Sequence, residues 1–156
     1  MVPMTAPVRK FLVVIDKTAE CKVAVRFAAR RAQHTGGRVS LLCVAAPADF
    51  QQWQGVEEIM KDEAHDDAEA LVYEAAKTIN ALTGIIPELI IEDGEETDCL
   101  MELIRRDRDI SILVVASGTS KDGPGALVKL FATKLQVIPV TIVPGNLSDE
   151  QVDELA

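Results

Sequence analysis

Apolar runs and helix-period stripes alternate along this chain from position 10 to position 144. KFLVVI (Lys10 to Ile15) is a continuous apolar run of the kind shown by a parallel strand buried on both faces. Val23, Ala24, Phe27 and Ala28 then recur at helical spacing, so a helix is predicted from an N-cap at Thr18 to about His34, stopped by Gly36-Gly37. RVSLLCV (Arg38 to Val44) reads as a second strand and AAPADFQQWQG as a long broken loop. The stripe Val56, Ile59, Met60, Leu71, Val72, Ala75, Ala76 and Ile79 predicts a second helix to about Leu82, closed by Thr83-Gly84. Its opposite face is acidic, with Asp62, Glu63, Asp66, Asp67 and Glu69.

Ile86 to Ile91 reads as a short third strand. Asp93-x-x-Glu96 resembles a capping box opening a third helix, and Arg105 and Arg106 suit the negative end of its dipole. Ile110 to Ala116 is the fourth strand, Gly125 to Gln136 the fourth helix and Ile138 to Val143 the fifth strand. Strict alternation predicts an α/β three-layer sandwich around a parallel sheet joined by right-handed crossovers. Past it, Ser148-x-x-Gln151 is a capping box, and Leu147 with Val152 can form a hydrophobic staple. A short helix from about Asp149 to Leu155 is expected, with Val152 and Leu155 packed inward.

With 156 residues the chain suits one domain, large enough to bury roughly 70% of its unfolded surface. The expected divisions are a flexible leader over 1–8, the α/β domain over 9–146 and the short helix over 147–156. No apolar run approaches the roughly 20 residues of a membrane helix, and the leader lacks a signal-peptide core, so the cytoplasm is the expected compartment. A net charge of −9 argues against nucleic acid as a partner. The three cysteines, Cys21, Cys43 and Cys99, form no CxxC pair, so neither a disulfide framework nor a metal site is expected. Cys43 reads as a small core residue; Cys21 and Cys99 fall in first helical turns, where a thiol can be activated.

The candidate chemistry lies after strand four, in ILVVASGTSKDGPGALVKLFATKLQVIPVTIVP. A loop from a strand's carboxyl end to a helix's amino end presents free N–H groups and a dipole to an anion. Ser117, Gly118, Thr119 and Ser120 offer N–H groups and hydroxyls, Lys121 a charge, and Gly123 and Gly125 close backbone approach. The same residues also suit a tight turn whose hydroxyls cap helix ends. Glu92, Asp93, Glu95 and Glu96 follow strand three at the same sheet edge and would oppose an anion unless Mg²⁺ bridged it. Trp53 either lids the cleft, anchors a partner or packs on the second helix. His34 sits at a helix end; His65 has the spacing for a weak metal site with Glu69, the solvated acidic face being its ordinary reading. No Ser-His-Asp, Cys-His or Walker A pattern appears, so no catalysis is expected.

Three strings and their order resemble the universal stress protein family over about residues 8–144: VVIDKTAECKVAVRFAARRAQHTGGRVSLLCV, IIEDGEETDCLMELIRRDRDISILVVASG and IPVTIVP. The resemblance implies an adenine-nucleotide alpha-hydrolase-like fold with a five-stranded parallel sheet of order 3-2-1-4-5. It also implies a homodimer through the fifth, edge strand (Ile138 to Val143), to which the terminal helix can add, and an unidentified protein partner. Asp16 corresponds to the aspartate facing adenine, although it can equally cap the first helix or pair with Lys17 or Lys121. Val44 corresponds to the residue whose backbone meets the base. The family's ATP-binding members carry G-x2-G-x9-G-[ST] after strand four, and this chain departs from it. Ser117 and Ser120, or Gly118 and Lys121, stand for the first two glycines, the long spacer is missing, and Ala126 follows Gly125. The expectation is a stress-response protein that dimerises and binds partners with a degenerate nucleotide site. An ATP or AMP sensor using Mg²⁺ is the alternative, and a nucleotide-processing enzyme a remote one.

Overall fold

The computed structural model describes residues 7–45, 58–118, 125, 127–129 and 137–156. Its elements are β1 (Lys10–Val14), α1 (Cys21–Thr35), β2 (Arg38–Val44), α2 (Glu58–Thr83), β3 (Glu88–Glu92), α3 (Glu96–Arg106), β4 (Ile110–Ser117), β5 (Val140–Pro144) and α4 (Asp149–Leu155). All strands are parallel, in the order β3-β2-β1-β4-β5.

The continuous apolar runs follow from burial on both sides. Along β1, Phe11 and Val13 face one core cluster with Val25, Ala28, Val72 and Ile79 of α1 and α2. Leu12 and Val14 face the other, with Leu100, Leu103 and Leu113. β1 has no exposed position, and even Lys10 is buried. Its ammonium reaches Asp107 after α3 and Glu88 of β3, the latter at 2.9 Å, which ties three elements together at the amino edge of the sheet.

Several boundaries differ from the expected ones for local reasons. Thr18 does not cap α1; its N–H and hydroxyl are turned back onto the Asp16 carboxylate, and the helix starts at Cys21 from an Glu20 N-cap without a side-chain bond. Asp93 does not cap α3 either. Glu95 does, accepting from the N–H groups of Thr97 at 3.1 Å and Asp98 at 2.8 Å. β3 begins at Glu88 rather than Ile86, which stands 86% exposed before Pro87, a residue with no N–H to donate. β5 begins at Val140 rather than Ile138, and the Pro139 carbonyl already accepts from the Leu113 N–H at 3.0 Å. Between β4 and β5, only 127–129 is described as helical.

The terminal helix matches its expected bounds, and both arms of the Ser148–Gln151 capping box form. Val152 is buried, but Leu155 is 64% exposed and packs on nothing that removes it from water, contrary to the expectation. α4 lies on α1, where Asp153 meets Arg26 and Arg30 and the Ala156 carbonyl oxygen sits 3.0 Å from His34 Nδ1.

Candidate functional site

In a sheet of order 3-2-1-4-5 the strand order reverses between β1 and β4, and a crevice opens at their carboxyl ends. Here it is a cleft of about 170 Å³ walled by Val14, Ala24, Val115, Leu127 and Val128 and edged by Asp16, Thr18 and Gly125. Small-molecule sites usually enclose about 300–1,000 Å³.

Asp16 and Gly125 are thus brought together. The Asp16 carboxylate accepts from the Thr18 N–H at 2.9 Å and from the Thr18 hydroxyl, an Asx turn that fixes the β1–α1 corner. Of its expected alternatives, this is closest to a capping role, and Lys17 is not its partner among the described residues. Gly125 adopts φ +106°, a region that L side chains avoid, and its carbonyl accepts from the Lys129 N–H at 3.1 Å. It therefore stands where the helix after the loop begins. Ser117 ends β4 opposite Pro144, with Gly118 after it. Val44 ends β2 opposite Glu92 but is not among the residues that line the cleft; it packs beside Leu12 and Leu42. Thr119, Ser120, Lys121, Gly123 and Trp53 lie outside the described residues.

The electrostatics are acidic. Asp16, Glu20 and Glu96 line the cleft, with no lysine or arginine among the described lining residues. Burial, then the charges of Asp16 and Glu95, push the Glu96 carboxyl above its usual range. The four acids at and just after the end of β3 divide. Glu96 turns into the cleft, whereas Glu92, Asp93 and Glu95 line a separate groove with Asp98, Glu102 and Arg106. The free N–H groups at the amino end of α3, which would otherwise suit an anion, are occupied by the Glu95 carboxylate. Sequence spacing places Glu96 at the sheet edge; that it alone enters the cleft follows from Glu95 being turned back as the cap.

The thiols are not activated. Burial raises Cys21 to about 12 and Cys43 to about 11, with the Asp16 charge adding to the shift in both. Cys21 donates to the Val14 carbonyl at 3.7 Å. Among the described residues no group of His, Cys, Asp or Glu has the arrangement to hold a metal, and His65 lies 3.9 Å from Asp93 rather than joining Glu69 at a site.

The model of the universal stress protein family matches residues 7–134 of this chain. No curated protein matches it. Among solved structures, universal stress protein UspA from Lactobacillus plantarum is similar at 17% identity, covering 89% of this chain and 99% of its own, with a TM-score of 0.70. A universal stress protein in complex with cAMP is 18% identical, with 90% and 100% covered and a TM-score of 0.65. The universal stress protein from Archaeoglobus fulgidus in complex with dAMP is 17% identical, with 88% and 99% covered and a TM-score of 0.64.

Proposed function

This chain belongs to the universal stress protein family, and we propose that it serves a stress response by pairing with itself and with a protein partner, its switch-point cleft being degenerate for ATP. The observation that carries this reading is the lining of the cleft. Asp16, Glu20 and Glu96 bring three carboxylates to the crevice at the sheet's carboxyl edge. A triphosphate would add like charge there, where low-dielectric walls strengthen repulsion. The shortened loop after Ser117 and the methyl of Ala126 beside Gly125 point the same way.

A second reading is supported by two neighbours whose structures hold cAMP and dAMP. A monophosphate needs less volume and brings less charge than ATP, so AMP-class binding fits a cleft of about 170 Å³ better. Thermal shift with ATP, AMP and cAMP, with and without Mg²⁺, separates the readings. A ligand at 100-fold excess over its Kd stabilises the folded state by about 2.7 kcal/mol. A shift with AMP or cAMP alone selects the second reading; a clear shift with ATP overturns the first.

The proposed self-association uses β5. It is an edge strand with Ile142 45% exposed and Val137 55% exposed beside it. An unpaired hydrophobic edge invites strand pairing. Light scattering at micromolar concentration tests this, a monomeric mass refuting it. The proposal includes no catalytic step, in keeping with thiols raised well above neutral pH. It sets the protein in the cytoplasm, which three unpaired cysteines suit. No described helix is long and apolar enough to cross a membrane.

A further inference from the structure

The first helix is basic and the last is acidic. Lys22, Arg26, Arg30 and Arg31 stand along α1 with no aspartate or glutamate, and α4 carries Asp149, Glu150, Asp153 and Glu154 with no lysine or arginine. In a chain of net charge −9, α1 is a local exception. Arg26, Arg30 and His34 follow at four-residue spacing and so share a face, on which helical periodicity also sets Val23 and Phe27. α4 meets that face group for group: Asp153 at Arg26 and Arg30, Asp149 3.6 Å from Arg26, and the Ala156 carbonyl at His34. We propose that α4 is an autoinhibitory occupant of this face, and that the protein partner it holds off presents an acidic amphipathic helix, with carboxylates one turn apart and an apolar residue beside them.

The hold on α4 is rich in charge and poor in apolar contact. Seven residues are too few for a helix to persist in water by itself, and Val152 is the one buried residue of α4, Leu155 being 64% exposed. The chain ahead of α4 is anchored separately: Leu147 packs on the core cluster of β1 and α1, and Gly145 sits against Ser117 and Glu20. Release of α4 about Ser148 therefore leaves β5 and the core in place. It also strips Arg26 and Arg30 of the carboxylates that pair with them. Of the acids beside Arg26 that stay behind, Asp16 is committed to Thr18, which leaves Glu74 of α2 against two guanidiniums. The vacated face is thus cationic with Val23 and Phe27 beside it, the complement of an acidic amphipathic helix. A tethered segment acts at an effective concentration in the millimolar range, so a free partner displaces α4 by burying more than its single valine. This contact rests on the reading that the chain binds a protein partner and supplies the chemistry of that partner.

Asp153→Lys sets a further cation against Arg26 and Arg30 and should unseat α4; Val152→Ser takes its place should the first not fold. Hydrogen exchange at the amides of 152–155 should then quicken at least about tenfold, while α1 and β5 keep their protection. The probe is a synthetic peptide of residues 145–156, titrated at low salt and followed by the amide shifts of Phe27 and Arg30. It should bind the opened variant saturably and the parent at least about tenfold more weakly, because in the parent the seat is taken. The same peptide carrying Asp153→Asn should bind the variant about tenfold more weakly, a charge-assisted contact being lost. No saturable shift in the opened variant, equal binding by parent and variant, or an unchanged affinity of the altered peptide would overturn the proposal. So would a parent dimer that falls apart when α4 is unseated, since the face would then hold a second copy. A parent that is monomeric throughout refutes pairing through β5 alone and leaves this contact standing.

Discussion

Asp153 grips Arg26 with both carboxylate oxygens, at 2.9 Å from Nε and 2.8 Å from Nη2, and takes a third bond from Arg30 at 3.0 Å. Arg26 and Arg30 are one helical turn apart, so a single carboxylate on α4 clamps one face of α1. The bonds from Arg26, with those from Arg30, lower the Asp153 carboxyl to about 2. The capping box and buried Val152 set the helix, and this clamp sets its seat.

Asp153→Asn is therefore expected to lower the melting temperature at pH 7. A carboxylate whose pKa falls on folding stabilises fully above its unfolded value of about 3.9 and loses that effect as pH falls through the folded value. The gap between parent and variant should hold from pH 7 to about 5 and close between about pH 4 and 2. Thermal melts by circular dichroism across that range check it; a gap that persists at pH 2 would assign the effect to shape rather than charge.

Lys10 offers a stronger test of buried charge. Burial works against its ammonium, but the bonds to Asp107 and Glu88 outweigh this and the pKa is raised. Its side chain is 5% exposed, while Asp107 is 20% and Glu88 49% exposed. Removing one partner of a buried pair costs about 3–5 kcal/mol, and the wetter acids here place Lys10→Met near the bottom of that range, at about 3 kcal/mol. Adding Asp107→Leu should restore more than half, because the stranded carboxylate goes too. Urea denaturation of the two variants measures both figures.

Two glycines should fail for different reasons. A Cβ on Gly145 would lie 2.1 Å from the Ser117 carbonyl oxygen and 2.8 Å from the Glu20 Cβ, although its backbone angles suit any residue. The Ser117 backbone is held by pairing with β5, so Gly145→Ala should cost at least about 2–3 kcal/mol. A Cβ on Gly125 meets nothing within 4 Å, and only its φ of +106° resists, so Gly125→Ala should cost about 1–2 kcal/mol. Chemical denaturation should rank them in that order. It follows that a Gly125 substitution is a poor probe of ligand binding, since it also strains the helix start.

The strands were legible because burial on both faces leaves continuous apolar runs such as KFLVVI, whose register needs no further code. The strand order came with the family resemblance, and the neighbours show the same fold. Caps were less legible where side chains compete. Thr18 is a good N-cap by type, yet Asp16 two residues earlier takes both its donors. Glu95 is a poor N-cap by type, and its reach to Thr97 and Asp98 is visible only once the chain has folded. The cleft was half legible: the chain pattern puts Asp16 and Gly125 at the carboxyl edge of the sheet, where the cleft lies, but that the Val44 side chain packs beside Leu42 and that Glu96 enters the cleft depends on the folded arrangement, the latter on how its neighbour Glu95 is turned.

Glu96 is one of three carboxylates that line the cleft. It is the first residue of α3, where the helix dipole favours a carboxylate by about 0.3–1 kcal/mol, yet burial and the charges of Asp16 and Glu95 raise its pKa. Desolvation and repulsion therefore exceed the dipole, and the ionised form is a cost to the fold. For an acid whose pKa rises on folding, that cost is present in full above the folded pKa and disappears as pH falls below the unfolded value of about 4.3. Glu96→Gln should accordingly melt higher than the parent at pH 7 and together with it below about pH 4. The same change removes one of three carboxylates from the cleft, so AMP binding should strengthen by up to about tenfold, a single like charge at close range being worth that much at a half-wet site. Higher stability without tighter AMP binding would place the nucleotide elsewhere. Neither effect would show that Glu96 is ion-paired, against the lining seen here.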